Sequence, residues 1–135
     1  MGSFSDYSEN LVLDYLFGTT AKWATLFVGL STSNVDDAGS TSTIHEPAST
    51  AAYARVAVAN TTANWSAAAS GAKTTVAAVT FPEATGDWGT ITDFFIATSS
   101  TGYTIVAAST LAVAKAVTSG DTVSFAIGDI DITLS

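Results

Sequence analysis

Three carboxylates and one tryptophan lie close together in the second half of the chain. Glu83 and Asp87 flank a turn that leads to Trp88, and Asp93 follows on the next predicted strand. Two carboxyl groups about 5–10 Å apart can hydrolyse a glycosidic bond, and an aromatic ring beside acids is common in sugar sites. Acidic β proteins often carry such groups without any catalytic role. We therefore do not predict a glycosidase here.

Other catalytic and metal-binding arrangements have even less support. His45 is the only histidine, and it lies in a polar segment. The sequence also contains no G-x-S-x-G motif, which marks the nucleophile of many serine hydrolases. A single histidine and no cysteine exclude the usual zinc sites. Asp36 with Asp37, and Asp129 with Asp131, are candidate calcium ligands, but no EF-hand or glycine-rich calcium repeat surrounds them. We expect no enzymatic activity, no cofactor and no metal.

Charge argues against nucleic acid and membrane partners. Only 12% of the 135 residues are charged and the net charge is −8, whereas soluble proteins average about 25% charged residues. The four cations are scattered along the chain: Lys22, Arg55, Lys73 and Lys115. They cannot neutralise a row of phosphates or an anionic lipid surface. No segment resembles a signal peptide or a membrane span, so we expect synthesis in a cytoplasm. A surface with so little charge suits a protein that is partly covered in an assembly.

The first segment is the best helix candidate. Ser5 can cap a helix over residues 5–17, and Gly18 can end it. One apolar stripe runs along this helix at spacings of three and four residues: Phe4, Tyr7, Leu11 and Tyr15. The stripe packs either on the β core of the same chain or on a neighbouring subunit.

The rest of the chain has the two-residue period of β-strands. Predicted strands cover 25–30, 53–58, 74–81, 90–96, 103–108, 122–127 and 130–134, and a long polar loop covers 31–50. Helices do not alternate with strands, so a parallel sheet is not expected. The pattern predicts a mostly β, single-domain protein over 1–135: an antiparallel β-sandwich or jelly-roll-like barrel over 24–134 with one N-terminal α-helix.

Aromatic residues are abundant and are either core or contact residues. Phe94 and Phe95 are adjacent, so on a strand they face opposite sides and one of them needs a second cover. Exposed aromatic side chains mark interfaces. Our candidate protein–protein contact residues are Phe4, Tyr7, Leu11, Tyr15, His45, Trp88 and Phe94. Exposed Trp65 and Trp88 would instead form the platform of a carbohydrate-binding module.

Several sequence blocks resemble small structural proteins of tailed bacteriophages. These blocks cover most of the chain, in family order: 5–18, 24–31, 53–56, 81–89 and 119–125, with Phe81 to Gly89 the most specific. The resemblance implies a virion component without enzymatic activity, of a kind described as tail-fibre-like or head-associated.

That resemblance leads to a ranked set of functions. The first is a capsid decoration or cement protein that stabilises the head lattice. The alternative is a tail, baseplate or fibre-associated structural protein, and a carbohydrate-binding module for host recognition ranks lower. The expected partners are the major capsid protein or other virion proteins. We also expect a homo-oligomer, with a trimer as its form, located in the virion on the capsid surface or tail.

Overall fold

A computed structural model of the chain describes residues 3–5, 8, 12, 15, 23–36 and 44–133. It contains nine strands and one short 3₁₀ helix, Ser49–Ala51, in these residues. The strands are β1 Ser3–Phe4, β2 Thr25–Ser31, β3 Val56–Ala59, β4 Ala72–Thr74, β5 Val79–Thr80, β6 Gly89–Ala97, β7 Ile105–Val117, β8 Ser124–Phe125 and β9 Asp131–Thr133. No helix in the described part of the chain is long and apolar enough to cross a bilayer.

All strand pairs are antiparallel. Five strands form one sheet in the order β1-β7-β6-β2-β3, and two ribbons, β4-β9 and β5-β8, are separate. The mostly β, antiparallel prediction is confirmed. Leu26, Val28 and Leu30 alternate along β2, face one side of the strand and are buried.

The two faces of the large sheet carry different cores. Val28 pairs with Ile96 on the face that packs on Val79, Phe125 and the rest of the main core. Gly29 pairs with Phe95 on the opposite face, where Val35, Ile44 and Ile105 form a second, smaller core. The sheet is therefore covered on both sides, by the ribbons on one and by the segment after β2 on the other.

Several predicted boundaries were wrong. β3 begins three residues later than predicted, the predicted strand 74–81 is divided between β4 and β5, and β8 has only two residues. β7 is much longer than the predicted strand 103–108 and continues to Val117. The alanine-rich stretch 111–117 has no polar–apolar alternation, so its pattern does not predict a continuation of the strand.

The N-terminal helix prediction lies largely outside the described residues. Of positions 5–17 the structure describes Ser5, Ser8, Val12 and Tyr15, and no bounded α-helix is found among the described residues. Ser8, Val12 and Tyr15 have helical backbone geometry. Ser5 is not merely a cap, because its hydroxyl donates to the carbonyl of Ile105 at 2.6 Å. Ser8 similarly donates to the carbonyl of Val106, so this segment is fastened to β7.

Gly29 is required by the close approach of a ring. A Cβ at this position would lie 2.6 Å from Cε2 and 2.8 Å from Cε1 of Phe95, which is fully buried. We expect Gly29→Ala to destabilise the fold by about 1–3 kcal/mol, because the ring has no free volume to move into. Chemical denaturation measures this loss.

The control is Gly86→Ala, whose nearest neighbour would be Ala51 Cβ at 3.2 Å. Gly86→Ala should lower the free energy of unfolding by less than Gly29→Ala does. A Gly29→Ala, Phe95→Leu double variant should lose less stability than the two single losses added together. Equal losses in Gly29→Ala and Gly86→Ala would contradict the steric explanation.

Candidate contact surfaces

The predicted contact residues do not form one surface. Phe4 and Phe94 are half-buried and pack against the main core. Phe94 lies with its ring centroid 5.1 Å from that of Phe125. Tyr15 is 58% exposed and His45 is exposed, so both are available to another molecule. Tyr7 and Leu11 lie outside the described residues.

Trp88 is a core residue and not a surface contact. Only 3% of it is exposed, and its indole N–H donates to the carbonyl of Ala51 at 2.8 Å. Its ring packs edge-on against Tyr53 at 5.3 Å. Trp65 is also 3% exposed. The exposed tryptophan platform proposed for a carbohydrate-binding module is therefore absent at both positions.

The acidic residues singled out in the sequence have structural contacts. Asp93 is buried, and its Oδ2 accepts hydrogen bonds from the backbone of Val35 and the hydroxyl of Thr110. Asp87 accepts from the backbone N–H of Gly89 and so holds the turn before β6. No group of three or more His, Cys, Asp or Glu side chains able to hold a metal ion occurs within the described ranges.

His45 is fastened to the start of the long loop. Its Nδ1 lies 2.7 Å from the hydroxyl oxygen of Ser33, and its backbone N–H donates to Ser31 Oγ. The backbone of Thr32 also donates to the carbonyl of His45. These contacts close the two described ends of the predicted long loop onto each other, and they leave the imidazole at the surface.

A buried ion pair between Arg55 and Glu46 holds the turn between β6 and β7. Arg55 binds Glu46 through two hydrogen bonds of 2.9 and 2.8 Å, and its guanidinium lies 4.9 Å from the centroid of the Phe95 ring. The same guanidinium donates to the carbonyls of Ser99 and Gly102. The side chain of Arg55 is only 2% exposed. This arrangement fixes the turn between β6 and β7 to the rest of the sheet.

That turn is held by hydrogen bonds, and its residues 100–104 are exposed. It spans residues 98–104, and its ends are joined by hydrogen bonds between Thr98 and Thr104. Tyr103, near its end, is 46% exposed. Tyrosine, serine, threonine and glycine are residue types that recognition loops favour, because they supply area and hydrogen bonds at low entropic cost. The sequence predicts a turn at 100–102, before the strand at 103–108, but the residues of this turn are not among the predicted contact residues.

Tyr53 completes the ion-pair cluster. Its hydroxyl donates to Glu46 Oε1 at 2.7 Å and accepts from the backbone N–H of Leu30 at 2.8 Å. Burial raises the pKa of Tyr53 far above its ordinary value of 10.0, and the Glu46 carboxylate raises it further. The hydrogen bond from Leu30 and the charge of Arg55 oppose this rise only partly.

The raised pKa of Tyr53 predicts a loss of stability at alkaline pH. Below pH 10.0, the ordinary pKa of tyrosine, Tyr53 is neutral in both the folded and the unfolded chain. Its contribution to the free energy of unfolding is then fully present. Above that pH the unfolded chain loses a proton that the folded chain keeps, so the free energy of unfolding falls by up to about 1.4 kcal/mol per pH unit. Denaturation curves at increasing pH measure this slope.

Tyr53→Phe provides the control for this pH dependence. At neutral pH it should cost about 1–3 kcal/mol, because the N–H of Leu30 and the Glu46 carboxylate lose a partner. The difference in free energy of unfolding between the variant and the wild-type chain should narrow as the pH rises above 10.0, the ordinary pKa of tyrosine. A gap that stays constant would contradict the raised pKa.

Comparison with known families decides the class of protein. The family model described as podophage GP4 fiber I protein gp80 matches residues 3–133. The chain belongs to this family. As a member of the podophage fibre family it is a tail-fibre-like structural protein of the phage virion, and the predicted resemblance is confirmed. None of the curated proteins matches the chain.

The family match also distinguishes between the predicted tail and capsid functions. A fibre family favours the tail or fibre alternative over the capsid cement function that was predicted first. Location in the virion agrees with the prediction, and the family implies the tail as the place.

Proposed function

We propose that the chain is a non-catalytic component of a podophage tail fibre that works through contacts with other protein chains. The observation that carries this proposal is the fibre-family match, which extends over nearly the whole chain, residues 3–133.

The chemistry of the described side chains supports a non-catalytic role. Glu46 binds Arg55 and Tyr53. Asp93 accepts hydrogen bonds from the backbone N–H of Val35 and the hydroxyl of Thr110. Asp121 and Asp129 accept hydrogen bonds from the backbone of their own turns. These carboxylates are used to stabilise turns and core contacts, which is the pattern of a structural protein.

A sandwich is the arrangement that we propose for the fold, in preference to a jelly-roll-like barrel. The main core includes residues from the five-stranded sheet and from both ribbons, which is how two stacked layers bury their facing sides. The β1 and β3 edges of the large sheet are not joined to each other within the described part of the chain.

The proposed partners are other virion proteins and further copies of this chain, with a trimer as the oligomer. Rigid exposed features, above all the 98–104 turn, are suitable for such contacts because little conformational entropy is lost on binding. No contact with nucleic acid or membrane is part of the proposal.

Immunogold electron microscopy of intact particles tests the location. An antibody raised against the folded chain should label the tail and its appendages. Labelling distributed over the whole head would contradict the fibre proposal and would return the cement function to first place. A phage in which the gene is deleted serves as the control for antibody specificity.

A further inference from the structure

The turn between β6 and β7 is built over a buried cation. Arg55 Nη1 donates to the carbonyl of Ser99 at 2.9 Å, and Nη2 donates to the carbonyl of Gly102 at 2.6 Å. Glu46 binds a different edge of the guanidinium, through Nε and Nη2. The cation therefore turns the edge that the carboxylate leaves free toward two peptide groups of the 98–104 turn.

The direction of these two carbonyls fixes the direction of two N–H groups. No peptide bond between described residues is cis, and in a trans peptide group the C=O and the N–H point in opposite directions. The carbonyl of Ser99 shares its peptide group with the N–H of Ser100, and the carbonyl of Gly102 shares its group with the N–H of Tyr103. Because both carbonyls point at Arg55, both N–H groups point away from it.

These two N–H groups are available to another molecule. Neither the N–H of Ser100 nor that of Tyr103 has a hydrogen-bond partner among the described residues. Both residues are exposed, as is Thr101 between them. The turn therefore presents two backbone donors at the surface, and the exposed hydroxyl groups of the same three residues lie beside them.

The buried cation makes these groups suited to an anion. A carbonyl that accepts a hydrogen bond from a charged donor polarises its amide, which strengthens the N–H at the other end. Backbone N–H groups that project from a turn are a common means of binding anions. The segment 98–104 also contains no Asp or Glu, in a chain with twelve acidic and four basic residues. An anion that approaches this turn meets donors and no carboxylate of the turn itself.

We propose that the N–H groups of Ser100 and Tyr103 form a binding site for a carboxylate, the side chain of an aspartate or glutamate on another protein chain of the fibre. Other copies of this chain are rich in that group, since acidic residues outnumber basic ones by twelve to four. A turn that binds a carboxylate elsewhere on the next copy makes a head-to-tail contact, and such contacts can close into a ring like the proposed trimer. This inference rests on the proposed function, because it names the chemistry of one contact between fibre chains.

Proton–nitrogen correlation NMR of the full chain tests the site, with sodium acetate as the probe at constant ionic strength. The backbone amide signals of Ser100 and Tyr103 should shift saturably as acetate replaces chloride. The control is the amide of Ser119, which lies in another exposed turn, one that is closed by the carboxylate of Asp121. That amide should not shift. Equal shifts at all three amides, or no shift at Ser100 and Tyr103, would overturn the inference.

Two charge variants separate an electrostatic role of Arg55 from a structural one. Arg55→Met removes the cation beneath the turn, so acetate should bind severalfold more weakly. Glu46→Gln removes the carboxylate that partly neutralises this cation, so acetate should bind severalfold more tightly. Both variants disturb the same ion pair, and a purely structural effect would change binding in the same direction in both. That outcome would contradict the site. If thermal unfolding shows that a variant is not folded, the wild-type titration decides.

Capped tripeptides identify the source of the carboxylate. A peptide with a central glutamate should shift the same two amides as acetate does, and the matched peptide with a central glutamine should not. Glucuronate, an acidic sugar, is the competing probe. Tighter binding of glucuronate than of the glutamate peptide would reject a protein carboxylate as the ligand.

The acetate titration is independent of the location of the chain in the particle. Tail labelling without any effect of acetate would reject the carboxylate site and keep the proposed function. A saturable effect of acetate on a chain that is absent from the tail would reject the fibre proposal, together with the fibre partner, and keep the site itself.

Discussion

Replacing Arg55 with Met is expected to destabilise the folded chain by about 3–5 kcal/mol. Its guanidinium is 2% exposed and makes two hydrogen bonds to Glu46. Removing the cation leaves the Glu46 carboxylate, 24% exposed, without its charged partner in a largely desolvated position. The carbonyls of Ser99 and Gly102 lose their donors as well. Urea denaturation at neutral pH measures the change.

Two variants separate the role of Arg55 from a general effect of charge. Lys73→Met removes an exposed cation whose ammonium group binds one backbone carbonyl, that of Ser66. That variant should change stability by less than about 0.5 kcal/mol. Arg55→Lys keeps the charge but cannot bind the carboxylate with two parallel hydrogen bonds, so it should also be destabilised. A stable Arg55→Met variant would contradict the account of the buried pair.

The Arg55 substitution should also loosen the 98–104 turn. Hydrogen exchange of the backbone amides there should become faster in Arg55→Met, beyond the change in global stability. If that turn contacts another virion protein, the variant should bind less well even at temperatures where it is fully folded.

Replacing Trp88 with Ala is expected to cost about 3–5 kcal/mol of stability. The indole is 3% exposed and contacts the rings of Tyr53 and Phe81, with centroids 5.3 and 6.5 Å away. The variant leaves a cavity at the centre of this aromatic cluster and removes the hydrogen bond to Ala51. Thermal or chemical denaturation measures the loss.

Trp88→Phe is the informative companion variant. It keeps most of the apolar volume but lacks the N–H, so it should cost less than Trp88→Ala. Tyr103→Ala removes a ring that is 46% exposed, and it should change stability only slightly. An unaltered stability of Trp88→Ala would contradict its place in the core and would revive a surface role for this residue.

The sequence predicted best where burial alternates along a strand. Leu26, Val28 and Leu30 alternate along β2 and are buried, and the predicted strand 90–96 agrees with β6. The prediction failed where tertiary contacts override the local pattern. Trp88 follows a glycine-containing turn that is typical of a surface loop, yet the turn folds back onto the 3₁₀ helix and buries the ring.

The contact surfaces were harder to predict than the strands. Arg55 and Glu46 are nine residues apart and come together only because the loop folds back over the sheet. The bulge of β7 between Thr110 and Lys115 is defined by its pairing with β6, and a run of alanine and valine gives no local sign of it. Of the candidate contact residues, Tyr15 and His45 are exposed, whereas Trp88 is buried, and their role in contacts stays a prediction.

The most direct test of the fibre assignment is the copy number of the chain in separated head and tail fractions of purified particles. Quantitative mass spectrometry against the major capsid protein supplies it. The account predicts that the chain is found in the tail fraction, at a few to a few dozen copies per particle. A copy number comparable to that of the major capsid protein, in the head fraction, would contradict it, and so would absence from the particle.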